Sequence, residues 1–461
     1  MVAEPGDDGA GQQTGARPGD GGAAPYGSLA RRRHVLVVGA NGLIGAALVD
    51  RLRDAGHEVV LGVRRAEAAT RRWPGLPAVS MDLAQPRPDD WRRSLQGVDA
   101  VINAVGIFQE QGKQNFDAIH VKGAIALFDA AVDAGVAQIV QISALGADAR
   151  ADTGYQASKG LADARLAALP LRATSVRPSL VFAAQGRSTQ WFLQLAAAPL
   201  TPLPAGGVQP VQPVHLRDLC DAVAALLDDA APPPVLEVVG PAPMPLADYL
   251  RTLGSSMGNR VRVAPVPVGA AMLFARIAAR WPGSLVTPDA LRLLQRGNVG
   301  DAGALASLLD RAPRPATSFI DPSQAQALRQ QAQLRSLLPL LRISLAAMWL
   351  VTAWVSAFVY PLQASLDLLQ RAHVPAAWAP PMLYAAALAN ALLGLAMLPA
   401  RWRRQVYALQ FALIVFYTAV ISLFLPEFWA HPYGPVLKNL PLLALIGALY
   451  QLDTPHGPDR R

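Results

Sequence analysis

The hydrophobic positions of this chain fall into two regimes. From residue 34 onward, short uninterrupted apolar runs alternate with stretches whose apolar residues recur at helical spacing. In "HVLVVGANGLIGAALVDRLRDAGHEVVLGVRR", Val35 to Val38 predict a strand buried on both faces of a parallel sheet. A glycine turn follows, then a helix ending at Gly56, then a second strand. Further strands are expected in "PAVSMDLAQP", "DAVINAVG", "AQIVQISALGA" and "ATSVRPSLVF", with helices in "AIHVKGAIALFDAAVDAGV" and "TGYQASKGLADARLAALP". This alternation predicts an α/β domain built on a doubly wound parallel sheet, over residues 34–330, with a substrate lobe from about 180.

Past residue 335 the pattern changes. Charge-free apolar segments occupy 343–362, 380–399 and 405–425, each long enough to cross a hydrocarbon core of about 30 Å. A fourth, 439–452, is shorter; Asn439 is expected to cap it and Pro441 to sit in its first turn. Extended back to Val436 it just spans; otherwise it is re-entrant. The expectation is an all-α, four-helix transmembrane domain over 335–453. Arg401, Arg403 and Arg404 in "ARWRRQ" mark a cytoplasmic loop. Four spans place Arg335 and Arg342 before the first, and Arg460 and Arg461 after the last, on that same side. The chain then reads as a multi-pass protein of the inner membrane, with the α/β domain and both termini cytoplasmic.

Composition sharpens this picture in three ways. The 461 residues are 52% hydrophobic and only 16% charged, and the excess lies in the last quarter. The net charge of +8 comes from scattered arginines without interleaved aromatics, which fits a lipid bilayer as partner and not nucleic acid. A single cysteine, Cys220, excludes an internal disulfide. Residues 1–33 lack an apolar core, so they read as a disordered tail and not a signal peptide; 454–461 form a second tail.

Candidate chemistry collects at the carboxyl ends of the expected strands. Gly39, Gly42 and Gly45 stand between a strand and a helix, where they permit a sharp turn, backbone approach to a pyrophosphate and close helix packing. The backbone of Asn41, Leu43 and Ile44 completes that phosphate-binding turn. Arg64 and Arg65 end the second strand where an acidic residue would select a ribose hydroxyl, so NADP is expected over NAD, with NAD still possible. Asp82 follows the third strand within reach of an adenine; Ala104 and Gly106 follow the fourth, where backbone passes the cofactor. Ser143 ends the fifth strand, and Pro178, next to Arg177 in the sixth, is also assigned to the cofactor site. In "GYQASKG", Tyr155 and Lys159 share a helix face, either as a proton-handling pair or as an exposed ring and a surface charge.

The glycine turn, Ser143, Tyr155-x-x-x-Lys159, "VRPSLVF" and "VQPVHLRDL" together resemble the short-chain dehydrogenase/reductase superfamily, in its extended or atypical epimerase/dehydratase-like branch. The resemblance covers about residues 34–310 and is closest to the group related to the nucleotide-binding accessory subunit of respiratory complex I. The stretch "LPEFWAHPYGPVLKNLPLLAL" resembles the DoxX-like family of membrane proteins. The first resemblance implies Tyr155 as acid/base, Lys159 tuning it toward the phenolate and bonding the nicotinamide ribose, and Ser143 holding the substrate oxygen. It implies no metal. Where the family carries a relay asparagine this chain has His120, either as a structural hydrogen-bonder or in a functional role. His215 and Asp218 are read as positioning the substrate lobe. Helices within 255–310 either roof the cleft or lie on the bilayer. Glu427, His431, Tyr433, Lys438 and Asn439 are expected to cluster at the outer face, as a loop anchor or a quinone or ligand site.

The function expected is a membrane-anchored NADP(H)-dependent oxidoreductase acting on a carbonyl or quinone-like group of an apolar small-molecule substrate. A non-catalytic dinucleotide-binding scaffold, or redox-responsive subunit of a membrane complex, is the alternative. A nucleotide-sugar epimerase or dehydratase is the weaker one.

Overall fold

The computed structural model describes residues 32–453 apart from 111, 113 and 282–283. The tails, with Arg460 and Arg461, therefore lie outside the described residues but for Arg32 and Arg33. The chain divides into two compact units. One runs through Arg177 and adds Leu219–Leu236; the other comprises Pro178–Asp218 and everything from Glu237 on.

The first unit is the α/β domain. Its strands and helices alternate as β1 (His34–Val38), α1 (Leu43–Asp54), β2 (Glu58–Val63), α2 (Ala66–Arg72), β3 (Ala78–Ser80), α3 (Pro88–Ser94), β4 (Ala100–Asn103), α4 (Ala124–Asp133), β5 (Gln138–Ile142), α5 (Gly154–Ala167) and β6 (Arg172–Pro178). The sheet is ordered Val235–Val238, β6, β5, β4, β1, β2, β3, and β1 through β6 pair in parallel. Every residue of β4 and β5 is buried, and their polar members are bonded inside: Asn103 donates to Gln141, and Gln138 donates to the Leu226 carbonyl. The order reverses between β1 and β4, so the turns after these two strands splay to opposite faces and leave a crevice at the carboxyl edge. Leu36, Trp91, Leu127, Phe128, Ile139 and Leu166 pack one face of the sheet against the helices.

The second unit contains a lobe and a helical region. The lobe's core joins Phe182, Phe192, Tyr249, Leu250 and Phe319. Its helices include α6 (Arg187–Ala197), α8 (Leu246–Ser256), α9 (Val268–Ala278), α10 (Pro288–Arg296) and α11 (Gly303–Leu309); α7 (Leu216–Asp228), which precedes the Val235–Val238 strand, belongs to the first unit from Leu219 on. Then come α12 (Pro322–Trp354), α13 (Leu362–Arg371), α14 (Ala379–Leu395), α15 (Arg403–Phe424), the short α16 (Glu427–Ala430) and α17 (Asn439–Leu452). Leu345, Trp349, Leu393, Tyr407 and Ile446 form the core of this bundle, while Leu340, Phe358, Leu388 and Leu423 stand exposed around it.

By length and composition two of these helices can cross a membrane, Pro322–Val359 and Ala400–Phe424. The other two expected spans are shorter: α14 has 17 residues and α17 has 14. α14 stops four residues before 399 because Pro399 cannot continue it, and Arg403 donates to the freed carbonyls of Met397 and Leu398 at 3.1 and 3.2 Å. Asn439 does not cap α17; Lys438 holds the cap position and the Asn439 amide donates to Thr418 Oγ1 on α15 at 2.8 Å.

Candidate active site

The crevice is lined first by the turn after β1. Gly39 has φ +84°, and a Cβ there would stand 2.9 Å from Val105 Cγ2 and 3.1 Å from the Ala104 carbonyl carbon, so the turns after β1 and β4 are in contact. At Gly45 a Cβ would fall 2.2 Å from the Gly39 carbonyl oxygen, which lets α1 press against its own entry turn. Asn41, Gly42 and Leu43 are exposed, Ile44 half-buried, and no side chain caps α1. The helix therefore opens with free N–H groups and a positive dipole end, the surroundings a pyrophosphate requires.

Arg64 and Arg65 follow β2 with both side chains exposed, and Ser80 at the end of β3 donates to the Arg64 carbonyl at 3.3 Å. Asp82 sits in the turn just beyond, its carboxylate accepting from the Ala84 N–H at 3.0 Å. Ala104 donates its N–H to the Val38 carbonyl, and Gly106 is exposed beside Lys159: a Cβ on Gly106 would lie 3.2 Å from Lys159 Nζ. These residues surround a cradle that a methyl group would fill, and they fit a dinucleotide. Pro178 closes β6 and belongs to the second compact unit.

Thr153 caps α5, its hydroxyl accepting from the Gln156 N–H at 3.4 Å, and so fixes where the Tyr–Lys face begins. Lys159 is buried and donates to the Ile142 carbonyl at 2.8 Å and the Val105 carbonyl at 3.3 Å. Burial lowers its ammonium pKa to about 8, with the Asp163 carboxylate pulling the other way. Tyr155 is half-buried in a ring of aromatics: Phe108 at 5.1 Å, Phe116 at 6.1 Å and His120 at 5.8 Å between centroids. Burial pushes its phenol up to about 12. The Lys159 ammonium is committed to two carbonyls, and burial outweighs its pull toward the phenolate.

The Ser143 hydroxyl is buried and donates to Asp163 Oδ2 at 2.8 Å. Arg177 converges on the same oxygen through Nε at 3.0 Å and Nη2 at 2.9 Å, while Asp163 Oδ1 is buried without a partner. His120 lies in a π-helical turn, Asp117–Gly123. Its Nε2 accepts from the Ile107 N–H at 3.0 Å, so Nδ1 carries the proton and donates to Ser158 Oγ at 2.9 Å. Ser158 in turn donates to the Tyr155 carbonyl at 3.0 Å. Burial, then the Lys159 charge, lowers the imidazole pKa to about 3, so His120 is a neutral brace with both nitrogens engaged.

Sequence reasoning missed Asp163, Phe108, Phe116 and Ser158. Only Asp163 left a signal, standing four residues beyond Lys159 on the same helix face.

In the second unit, the Asp218 carboxylate is fully buried and held by the Arg311 and Arg314 guanidiniums and the Arg314 N–H. The His215 ring stacks on Phe182 and meets Phe319 at a tilt. Glu427 pairs with Arg371, His431 stacks on Phe428 and Tyr433, Asn439 turns to Thr418, and Lys438 starts α17. Of these five, His431 and Tyr433 contact each other, whereas Glu427 and Asn439 pair with Arg371 and Thr418. No cluster of metal-ligating side chains occurs among the described residues.

Residues 39–196 match the NAD(P)H-binding family and residues 346–447 the DoxX-like family. The chain is 29% identical to the mitochondrial NADH dehydrogenase [ubiquinone] 1 alpha subcomplex subunit 9 of Arabidopsis thaliana, over 46% of its own length and 54% of that subunit. It thus spans about half of this relative. A ceramide reductase of Caulobacter vibrioides is 27% identical over 56% of this chain and 81% of the reductase. The uncharacterized sugar epimerase YhfK of Bacillus subtilis is 31% identical over 31% of this chain and 70% of YhfK. Among solved structures, the Citrobacter sp. triphenylmethane reductase complexed with NADP(H) shares the fold with TM-score 0.51 and 18% identity, covering 64% of this chain and 99% of that one.

Proposed function

We propose that this chain, which belongs to the NAD(P)H-binding epimerase/dehydratase-like family and carries a C-terminal DoxX-like domain, is an NADP(H)-dependent reductase of the inner membrane. Its substrate is an apolar molecule bearing a carbonyl or quinone-like group. The observation that carries this reading is the Tyr155 phenol, walled by Phe108 and Phe116 and one helical turn from Lys159, which itself lies beside Gly106. NADPH held in the cradle would supply a hydride to the carbonyl carbon. Tyr155 would give its proton to the carbonyl oxygen, which takes up the C=O electron pair. Lys159, four residues away on α5, faces the phenolate charge that develops and holds the nicotinamide ribose. Phe108 and Phe116 exclude water from the reacting carbonyl and favour an apolar substrate. Asp163 takes the Ser143 proton and Arg177 holds that carboxylate, so Ser143 supports the site and its oxygen is left to accept from the O–H of the alcohol product.

Arg64 and Arg65, exposed at the end of β2, support a 2′-phosphate and hence NADP. The DoxX-like segment and the ceramide reductase relative support a lipid-like substrate met at a membrane. The positive loop Arg401–Arg404 supports four passes with the α/β domain cytoplasmic.

One observation favours the scaffold reading as second: His120 spends both ring nitrogens on the protein and leaves none for a proton relay. The test uses full-length detergent-solubilised protein, wild type beside Tyr155→Phe. NADPH binding is read by fluorescence and NADPH oxidation is followed with short-chain quinones, long-chain ketones and apolar aldehydes. A fall in turnover of at least a hundredfold with binding unchanged supports the reductase. Binding in both proteins and turnover in neither turns the assignment to the scaffold.

A further inference from the structure

Helix α9 (Val268–Ala278) is apolar on the wrong side for a soluble lobe. Its only buried residue is Ala275. Leu273, Phe274 and Ile277 are exposed, and Trp281 just beyond the helix is 64% exposed. At 3.6 residues per turn, Ala270, Leu273, Phe274, Ile277 and Trp281 fall on one face, while Arg276 and Arg280, four apart, flank it. The opposite face, through Ala275, is the one that meets protein.

Two observations say what covers the outer face. Ser284, Leu285 and Val286 share the rim of a shallow hollow of about 340 Å³ with Arg335 of α12. At Arg335 the bare apolar surface of α12 begins: Leu337, Leu340 and Ile343 are 52%, 63% and 65% exposed. Trp281 is three residues from Ser284, so the chain cannot carry it more than about 11 Å from that level. The apolar face of α9 therefore lies beside the point where the long helix enters its apolar surroundings. The flanking guanidiniums match the phosphates of an anionic leaflet, with their stems along the apolar surface.

We infer that α9 with Trp281 is a monotopic anchor, lying in the headgroup region of an anionic bilayer with Leu273, Phe274, Ile277 and Trp281 inserted and Arg276 and Arg280 on lipid phosphate. It fastens the lobe to the membrane surface at a second point beside the spans. The inference rests on the membrane reading of the C-terminal helices and is independent of catalysis.

The test is depth-resolved quenching on the full chain in nanodiscs of phosphatidylcholine with phosphatidylglycerol. Cys220 is buried and is the sole cysteine, so Phe274→Cys, Trp281→Cys and Leu350→Cys each take an environment-sensitive NBD label at one place. Labels at 274 and 281 are quenched at least threefold more by shallow doxyl lipid than by aqueous iodide. Adding Arg276→Glu and Arg280→Glu at least halves the doxyl quenching at 274. If 274 and 281 respond to iodide and not to lipid while the Leu350 position responds to lipid, the anchor is refuted. Silence at Leu350 as well would sink the membrane reading itself. Self-quenching at 274 that persists in detergent would assign the face to a second copy of the chain, and also overturns the proposal.

Discussion

Replacing Asp163 by asparagine probes the one charged group that sequence reasoning overlooked. The Asp163 carboxylate is buried, one helical turn from Lys159, and its attraction holds the Lys159 pKa up against desolvation. Two unit charges about 6 Å apart interact by ~2.8 kcal/mol at an effective dielectric of ~20. The Arg177 guanidinium, on Asp163 Oδ2 at 2.9 Å, cancels part of that field. If roughly half survives, ~1.4 kcal/mol remains, or about one pKa unit. Without the carboxylate the ammonium form is less favoured, so the Lys159 pKa moves down from about 8 by that one unit. The sign for binding follows: the ammonium holds the nicotinamide ribose, so affinity is full below the Lys159 pKa and declines as pH rises through it. Titrating full-length protein with NADPH from pH 6 to 10, by fluorescence, reads this directly. Wild type keeps a constant Kd up to about 8 and loses about tenfold per pH unit above it. In Asp163→Asn the loss starts about one unit lower, and Asp163→Glu, which keeps the charge, returns the onset toward the wild-type position. An onset in Asp163→Asn within about 0.3 units of wild type, or a shift upward, would refute the coupling.

Three further outcomes are expected. Gly45→Ala drives a methyl to 2.2 Å from the Gly39 carbonyl oxygen, a backbone atom that cannot step aside; NADPH affinity falls at least thirtyfold (~2 kcal/mol) in a fluorescence titration, and an unchanged Kd counts against the cradle. Arg64→Ala with Arg65→Ala weakens NADPH at least tenfold (~1.4 kcal/mol) and leaves NADH within about twofold; equal losses for both would remove the basis for NADP preference. In the bundle, Arg342 pairs with Asp453, both mostly buried, and Tyr407 donates to the same carboxylate at 2.9 Å. Arg342→Met strands that carboxylate and costs ~3–5 kcal/mol, seen as a lower thermal midpoint in detergent, whereas Arg342→Leu with Asp453→Leu recovers most of the loss.

Much of this protein is legible from one dimension because its signals are local. Val35–Val38 with Gly39, Gly42 and Gly45 announce a buried strand, a phosphate turn and a helix, since one peptide segment carries all three. Tyr155 and Lys159 are visible as a pair because a helix brings residues four apart onto one face. The change from short apolar runs to long charge-free ones locates the C-terminal bundle, although α14 stops short of Pro399 and α17 does not extend back to Val436. What tertiary structure alone decided is how the charges and hydrogen bonds are spent. Ser143 just after β5, Asp163 from α5 and Arg177 from β6 meet only when the sheet closes, and no spacing relates them. The Tyr155 pKa likewise depends on Phe108 and Phe116 from a loop that carries no periodic pattern. His120 illustrates the divide most plainly: the sequence placed it on the right helix, but its tautomer follows from Ile107 and Ser158, two partners far away in the chain and adjacent only in the fold. Local backbone preference is written residue by residue; desolvation and the sharing of hydrogen-bond partners are properties of the packed interior.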